Sequence, residues 1–322
     1  VDIQKKKVLV TGGAGFIGSH LAAALLRDER VSAVRVLDNL ATGHLKNIKP
    51  FLGNNRFEFI EGDIRDFSVC ERACEGIHLV SHQAALGSVP RSIKDPLTSH
   101  NVNVTGTLHI LQAAVRAGVS RVVFASSSSL YGDNEVLPKV EDKTGNPLSP
   151  YAATKSMNEM YAAVFARTYG LEYIGLRYFN VFGPNQDPEG PYAAVIPLFF
   201  KAARLGVPPV INGDGNHSRD FTYVDNAVQA NLLGLFVDSG DTGNSAVNQI
   251  YNVACGKQTT LNAMWAMISE IMGIKLKPEY GPERPGDILH SLADIHKAER
   301  LLGYVPNIDV SEGLRRIAHM YI

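Results

Sequence analysis

The sequence predicts an α/β protein in which a doubly wound parallel sheet is joined to a smaller mixed α/β domain. Two observations carry that reading. Through the first half of the 322-residue chain, short β-branched runs alternate with helical stretches, the pattern of successive βαβ units. After Asn180 the texture shifts to Gly, Pro and Asn clusters, from Phe182-Gly183-Pro184-Asn185 through Pro208-Pro209 to Asn212-Gly213-Asp214-Gly215, as expected of loops arranged around a ligand.

The predicted strands follow in order at 8–10, 33–37, 57–61, 79–82, 122–125 and 173–178. Between them, apolar residues recur near every 3.6 positions, as in Leu21, Leu25 and Leu26 and again in Leu108, Leu111, Ala114 and Val115, so helices connect the strands. Right-handed crossovers then place helices over both faces of the sheet. A helical pattern returns at 223–236 and a strand at 249–254, so the chain revisits its first domain. The expected division is 1–180, rejoined by about 222–254, for one domain, and 181–221 with 255–322 for the other.

Acids and bases nearly cancel to a formal charge of -1, and the longest basic run is Lys5-Lys6-Lys7. That balance argues against nucleic acid or an anionic membrane as partner. The N-terminus lacks the apolar core of a signal peptide, and no apolar stretch approaches the ~20 residues of a bilayer span, so a cytoplasmic location is expected. Three cysteines make no disulfide framework. Cys70 and Cys74, a helical turn apart, read as packed side chains, and no metal site is expected. His78 and His82 lie on a predicted strand, too far apart to share an ion.

The first strand runs directly into Thr11-Gly12-Gly13-Ala14-Gly15-Phe16-Ile17-Gly18. Glycines there allow a tight turn and a close approach to a pyrophosphate, whose charge sits over the open N–H groups of a helix beginning near Gly15. The loop gains its meaning from Asp38, twenty residues beyond Gly18 at the end of the second strand. A carboxylate there accepts hydrogen bonds from the adenosine ribose hydroxyls and repels a 2′-phosphate, favouring NAD over NADP. Gln83-Ala84-Ala85 after the fourth strand presents small residues along the cofactor's path. Asp63 is open between an adenine contact and a plain turn, and Asn103 between a cofactor contact and a helix-surface role.

Ser149-Pro150-Tyr151-Ala152-Ala153-Thr154-Lys155 reads as a helix start, with serine as cap and proline in the first turn. Tyr151 and Lys155 then share one helix face. A tyrosine titrates at ~10, so a phenolate usable near neutrality needs about three units, roughly 4 kcal/mol. The helix dipole offers at most about 1 kcal/mol, whereas an ammonium ~5 Å away at an effective dielectric near ~20 offers roughly 3 kcal/mol. Lys155 is therefore expected to be the main activator of Tyr151 as a base. Ser126-Ser127-Ser128-Ser129 closes the fifth strand, where a hydroxyl can hydrogen-bond a reacting alcohol or carbonyl oxygen. No Gly-x-Ser-x-Gly elbow surrounds it, so acyl transfer is not expected.

Together with Ser126-Ser127-Ser128-Ser129-Leu130-Tyr131-Gly132, Leu176-Arg177-Tyr178-Phe179-Asn180-Val181-Phe182-Gly183 and Ser218-Arg219-Asp220-Phe221, these motifs resemble the extended short-chain dehydrogenase/reductases over nearly the whole chain. Within that family the chain is most similar to the nucleotide-sugar 4-epimerases. The resemblance implies a Rossmann domain holding NAD, a second domain holding a UDP-sugar, and a homodimer built on helices near 98–117 and 151–169. It implies Ser127 as catalytic serine, Tyr151 as base, Lys155 as cofactor-binding lysine and Tyr178 against the nicotinamide. Asn180 would touch the sugar diphosphate, Arg219 and Arg284 its phosphates, and Asp287 the uridine ribose. Arginine suits a diphosphate because its planar fork donates two parallel bonds and keeps its charge. The expected cofactor set is completed by Gly12, Gly15, Phe16, Ile17, Gly18, Asn39, Gly43 and Ile64. The substrate set is completed by Gly87, Ser88, Ser128, Ala194, Val195, Val210, Asn212 and Ser291.

Relatives that eliminate water carry Asp-Glu where Ser128 and Ser129 stand, and decarboxylases keep a glutamate at the position of Ser129, because those reactions need an extra acid or base. The expected reaction is therefore transient oxidation of the sugar at C4, rotation of the 4-keto sugar, and return of the same hydride to its opposite face. Galactose epimerases that reject N-acetyl sugars place a bulky tyrosine where Ser291 stands. A serine leaves room for the 2-acetamido group, so UDP-N-acetylglucosamine and UDP-N-acetylgalactosamine are the expected pair, with UDP-glucose and UDP-galactose also open. Gly190-Pro191-Tyr192-Ala193-Ala194-Val195-Ile196-Pro197 and Leu86-Gly87-Ser88-Val89 resemble epimerases that favour UDP-N-acetylglucosamine and its galacto epimer, although Gly87 replaces a cofactor-contacting lysine of the galactose enzymes. Two alternatives stand beside this reading. A UDP-glucuronate-type epimerase is opposed by Asn180, where acid-specific relatives often place threonine. A nonenzymatic NAD-binding regulator is opposed by the presence of both Tyr151 and Lys155.

Overall fold

The computed structural model describes residues 5–186, 195–240, 245–283 and 289–321. Seven strands form its main sheet: β1 (Lys6–Thr11), β2 (Val31–Asp38), β3 (Phe57–Glu61), β4 (Leu79–His82), β5 (Arg121–Ser127), β6 (Glu172–Tyr178) and β7 (Gln249–Val253). They pair in parallel in the order β7-β6-β5-β4-β1-β2-β3. β5 runs two residues past its expected end because Ser126 and Ser127 still pair with Arg177 and Tyr178 of β6.

Successive side chains of a strand point to opposite faces, and both faces here are apolar. Val8 and Val10 join a core with α1 (Phe16–Arg27) and α5 (Val224–Phe236), while Leu9 joins a second core with α2 (Phe67–Cys74), α3 (Gly106–Arg116) and α4 (Pro150–Tyr169). A sheet buried on both sides by crossover helices is the doubly wound Rossmann arrangement that the alternating runs predict. Cys70 and Cys74 pack within the second core, where burial pushes both thiols up to about 12.

The strand order reverses between β1 and β4, which opens a crevice at their carboxyl ends. Beyond the main sheet, residues 181–182 pair with 222–223, 218–219 with 259–260, and 210–212 with 279–281. The helices Val195–Leu205 and Leu261–Met272 pack together through Phe199 and buried Trp265, whose rings lie 5.7 Å apart. One departure from the expected pattern matters for the site. The helical run near 98–117 is broken by a π-helical segment, Asn101–Thr105, and the extra residue per turn rotates Asn103 into the interior.

Candidate active site

A cavity of about 570 Å³ follows the carboxyl ends of the central strands. At one wall, α1 begins at Gly15 with no side-chain cap, so its first-turn N–H groups form an anion site. Gly12 has φ +67°, and a Cβ there would stand 2.7 Å from Ala84 N; one at Gly18 would stand 2.2 Å from the Gly12 oxygen. Only glycine permits this turn, and the turn fits a pyrophosphate. Asp38 is 8% exposed, with its carboxylate accepting the N–H of Ala14 at 2.9 Å and of Leu40 at 2.8 Å. Burial nonetheless pushes its pKa up. Asp63 is gripped by Arg65 at 2.7 Å and by the Asn39 amide at 2.8 Å, and the Arg65 hydrogen bond pulls it down to about 2.

Gly12, Gly15, Phe16, Ile17, Gly18, Asp38, Asn39, Asp63, Ile64, Gln83, Ala84, Ala85, Gly87, Ser127, Tyr151, Lys155, Tyr178 and Asn180 all line this cavity. Gly43 and Asn103 do not. Gly43 packs where a Cβ would stand 2.9 Å from the Ala14 carbonyl carbon and 3.0 Å from the Asp38 carboxylate. Asn103 is fully buried; its amide accepts from the Leu86 N–H at 2.8 Å and donates to the Leu86 carbonyl at 3.2 Å and to Thr154 at 3.1 Å. It clamps the loop after β4 to α4. Ser88 and Ser128 also lie outside the lining. The Ser88 hydroxyl accepts the Arg91 N–H at 3.2 Å as a helix cap, and Ser128 opens the tight turn Ser128–Tyr131.

Beneath the cleft runs a chain of buried hydrogen bonds whose direction is fixed by its last member. Thr107 donates to the Asn103 carbonyl at 2.6 Å, so its oxygen accepts from His82 Nε2–H at 2.9 Å. His82 Nδ1 must then accept the Thr11 hydroxyl at 2.7 Å. Burial drives His82 down to about 3, which keeps the imidazole neutral in this role. The glycine-rich turn and the π segment are thereby tied together.

The Ser149 hydroxyl accepts the Ala152 N–H at 3.1 Å, and the Tyr151 N–H donates to Ser92 at 3.0 Å. These bonds start α4 at the cleft wall. Lys155 donates to the Ala125 carbonyl at 2.8 Å, and its Nζ stands 5.9 Å from the centre of the Tyr151 ring. Burial pushes the Tyr151 phenol above its ordinary value and the Ser127 side chain draws it back. Burial also lowers Lys155 to about 8, opposed by Glu159. Lys155 thus stands beside the Tyr151 ring while donating to the Ala125 carbonyl, and Ser127 is the side chain that draws the phenol back.

Three residues that the sequence reading passes over support this wall. Asn231 of α5 donates to the Tyr178 hydroxyl at 2.7 Å and accepts from Gln83 at 2.9 Å, while Tyr178 donates to Gln83 at 3.0 Å. Glu159 forks Arg177, and Ser92 holds the Tyr151 amide. The available signal for Asn231 is a polar residue on the apolar, inward face of a helical run.

A second cavity of about 580 Å³ adjoins the first and shares Asn180 and Val181 with it. Val195, Val210, Asn212, His217 and Arg219 line it. Arg219 donates to the carbonyls of Ser218 at 3.0 Å and Leu289 at 3.2 Å. Its neighbour Asp220 is buried, accepts the Cys255 N–H at 2.9 Å, and is pushed by burial up to about 6. Ser291 donates its N–H to the Ser218 carbonyl at 3.0 Å and is buried without lining either cavity. Ala194, Arg284 and Asp287 lie outside the described residues.

A sequence profile for the NAD dependent epimerase/dehydratase family matches residues 8–254. The chain belongs to this family. The family is NAD-dependent, and the described residues of the cleft around the glycine turn and Asp38 fit that cofactor. Among similar proteins, the UDP-glucose 4-epimerase of Mycolicibacterium smegmatis is 37% identical over 317 residues, 98% of each chain. Among solved structures, the UDP-N-acetylglucosamine 4-epimerase of Methanobrevibacter ruminantium, in complex with UDP-N-acetylmuramic acid, is 41% identical with a TM-score of 0.89 over 98% of each chain. The UDP-glucose 4-epimerase of Thermotoga maritima, with UDP-glucose, is 38% identical with a TM-score of 0.88 over 97% of each chain.

Proposed function

We propose that this chain is a NAD-dependent UDP-sugar 4-epimerase whose substrate pair is UDP-N-acetylglucosamine and UDP-N-acetylgalactosamine. The observation that carries the reading is the company Tyr151 keeps. Ser127 and Lys155 stand with it on the cleft wall, and among the described lining residues the only acids are Asp38 and Asp63, at the ends of β2 and after β3. Elimination, the dehydratase reaction of the same family, needs a further acid–base pair at the reacting carbon. Reversible oxidation needs one proton acceptor that can return what it takes.

Bound NAD supplies the acceptor and donor of hydride. Tyr151 accepts the proton of the C4 hydroxyl and gives it back, while Ser127 holds the same oxygen. Asn180, at the seam of the two cavities, and Arg219 hold the diphosphate, with Arg219 keeping its charge at every working pH. Anchored by its nucleotide, the planar C4 ketone can present either face, and inversion follows. The acetylated pair is supported by the likeness to a UDP-N-acetylglucosamine 4-epimerase; Ser291, which lines neither cavity, supports it only through the resemblance. The UDP-glucuronate reading is weaker, because Asn180 occupies the position where acid-specific relatives often carry threonine.

The active form is a homodimer. Met157, Met160, Tyr161 and Val164 recur at helical spacing on α4 with 37–66% exposure, beside exposed Ile93 and Leu97, an apolar stripe that a second copy would cover. The functional test is proton NMR of the purified protein with UDP-N-acetylglucosamine and UDP-glucose in separate tubes. Galacto-configured signals are expected from the acetylated sugar. Their appearance from UDP-glucose alone would overturn the substrate assignment.

A further inference from the structure

Tyr151, Lys155 and Glu159 follow one another at four-residue steps on α4 and so share one face. The Glu159 carboxylate accepts from Arg177 Nε at 2.9 Å and Nη2 at 2.8 Å, and from the hydroxyl of Ser126. Arg177 is 4% exposed and Lys155 3% exposed. Glu159 therefore forks one buried cation, Arg177, and lies on the same helix face as a second, Lys155, whose proton its charge helps to hold. The hydrogen-bond partner of Lys155, the Ala125 carbonyl, is neutral.

The groups facing Lys155 can be taken element by element. Its own helix brings Tyr151 and Glu159. β4 brings His82, kept neutral by burial. β5 brings only the Ala125 carbonyl and the hydroxyls of Ser126 and Ser127, and β6 brings Tyr178 and, behind Glu159, Arg177. Glu159 is the anion on the helix face of Lys155, and Arg177 also reaches the buried Glu141, whose backbone carbonyl accepts its Nη1 at 2.8 Å and whose carboxyl, pushed up by burial, its charge draws back. A buried cation without a counter-charge gives up its proton readily, and Arg177, bound to Glu159, offsets the charge that carboxylate offers Lys155.

We propose that Glu159 is a positioning residue of the reaction: it neutralises Arg177, keeps Lys155 an ammonium beside Tyr151, and through Ser126 fixes the strand edge that presents Ser127. This rests on the reading of Tyr151 and Lys155 as the reacting pair. Arg177 and Glu159 then act as opposed controls on one proton.

The test is the pH profile of kcat/KM for the epimerised UDP-sugar, measured on the holoenzyme. In Glu159→Gln the alkaline limb should move to lower pH by roughly 1–3 units, the usual effect of one close opposite charge, with activity recovering below the limb. Arg177→Met, which leaves Glu159 facing Lys155 alone, should move the limb to higher pH. Opposite displacements cannot come from general damage to the site. If Glu159→Gln does not fold, Arg177→Met alone decides. A limb unmoved in either folded variant, with activity lowered equally at every pH, would overturn the proposal. Failure of the underlying reading looks different: Tyr151→Phe would then turn over like the parent.

Discussion

At Tyr151 burial favours the neutral phenol, and the nearby Ser127 works against it. Replacing the residue by phenylalanine removes the proton acceptor and little else. Tyr151→Phe should lower kcat by about 10²–10⁴-fold, with KM nearly unchanged, in a coupled assay for the epimerised sugar; an undiminished kcat would remove Tyr151 as the base. Asn231 supports the cofactor wall from behind, and Asn231→Leu would leave the Tyr178 hydroxyl and the Gln83 amide without it. Roughly 1–3 kcal/mol of stability should go with that partner, read as a lower Tm and as NAD lost on gel filtration. Unchanged melting and retention would contradict this. Tyr151 and Lys155 are readable in the sequence as a pair at four-residue helical spacing, and Ser127 only through the resemblance of its serine run to the family's. Asn231 is not, since its partners lie 53 and 148 residues away in the chain.

Strands were the most readable elements, because a sheet buried on both faces needs uninterrupted apolar runs. The Ser149 cap and the start of α4 were readable for the same local reason. The π segment Asn101–Thr105 was not: five residues of wider helix keep the composition of an ordinary one while turning Asn103 toward Leu86 and Thr154. Asn103, open in the sequence between a cofactor contact and a helix-surface role, is held as a clamp on the loop beside it. α4 also carries the exposed stripe proposed as the dimer face. Met160 is 66% exposed, so Met160→Glu should leave the fold intact and shift sedimentation from dimer to monomer. A parent that already sediments as a monomer would contradict the assignment.

Over the whole molecule, the chain leaves the sheet after β6, builds the wall of the second cavity, and returns through α5 and β7 to pair with β6. The two cavities meet at Asn180 and Val181, so in the proposed reaction a sugar anchored by its nucleotide in one would reach the dinucleotide in the other. That junction is beyond sequence pattern, because it depends on where the returning segments land. For the proposed reaction its consequence is a closed cycle in which the hydride taken from C4 would go back to C4. The most direct test uses a UDP-sugar deuterated at C4, incubated with the purified protein in ordinary water and analysed by mass spectrometry and proton NMR. The C4 epimer should keep its deuterium in full. Loss of deuterium to solvent during inversion would contradict the account.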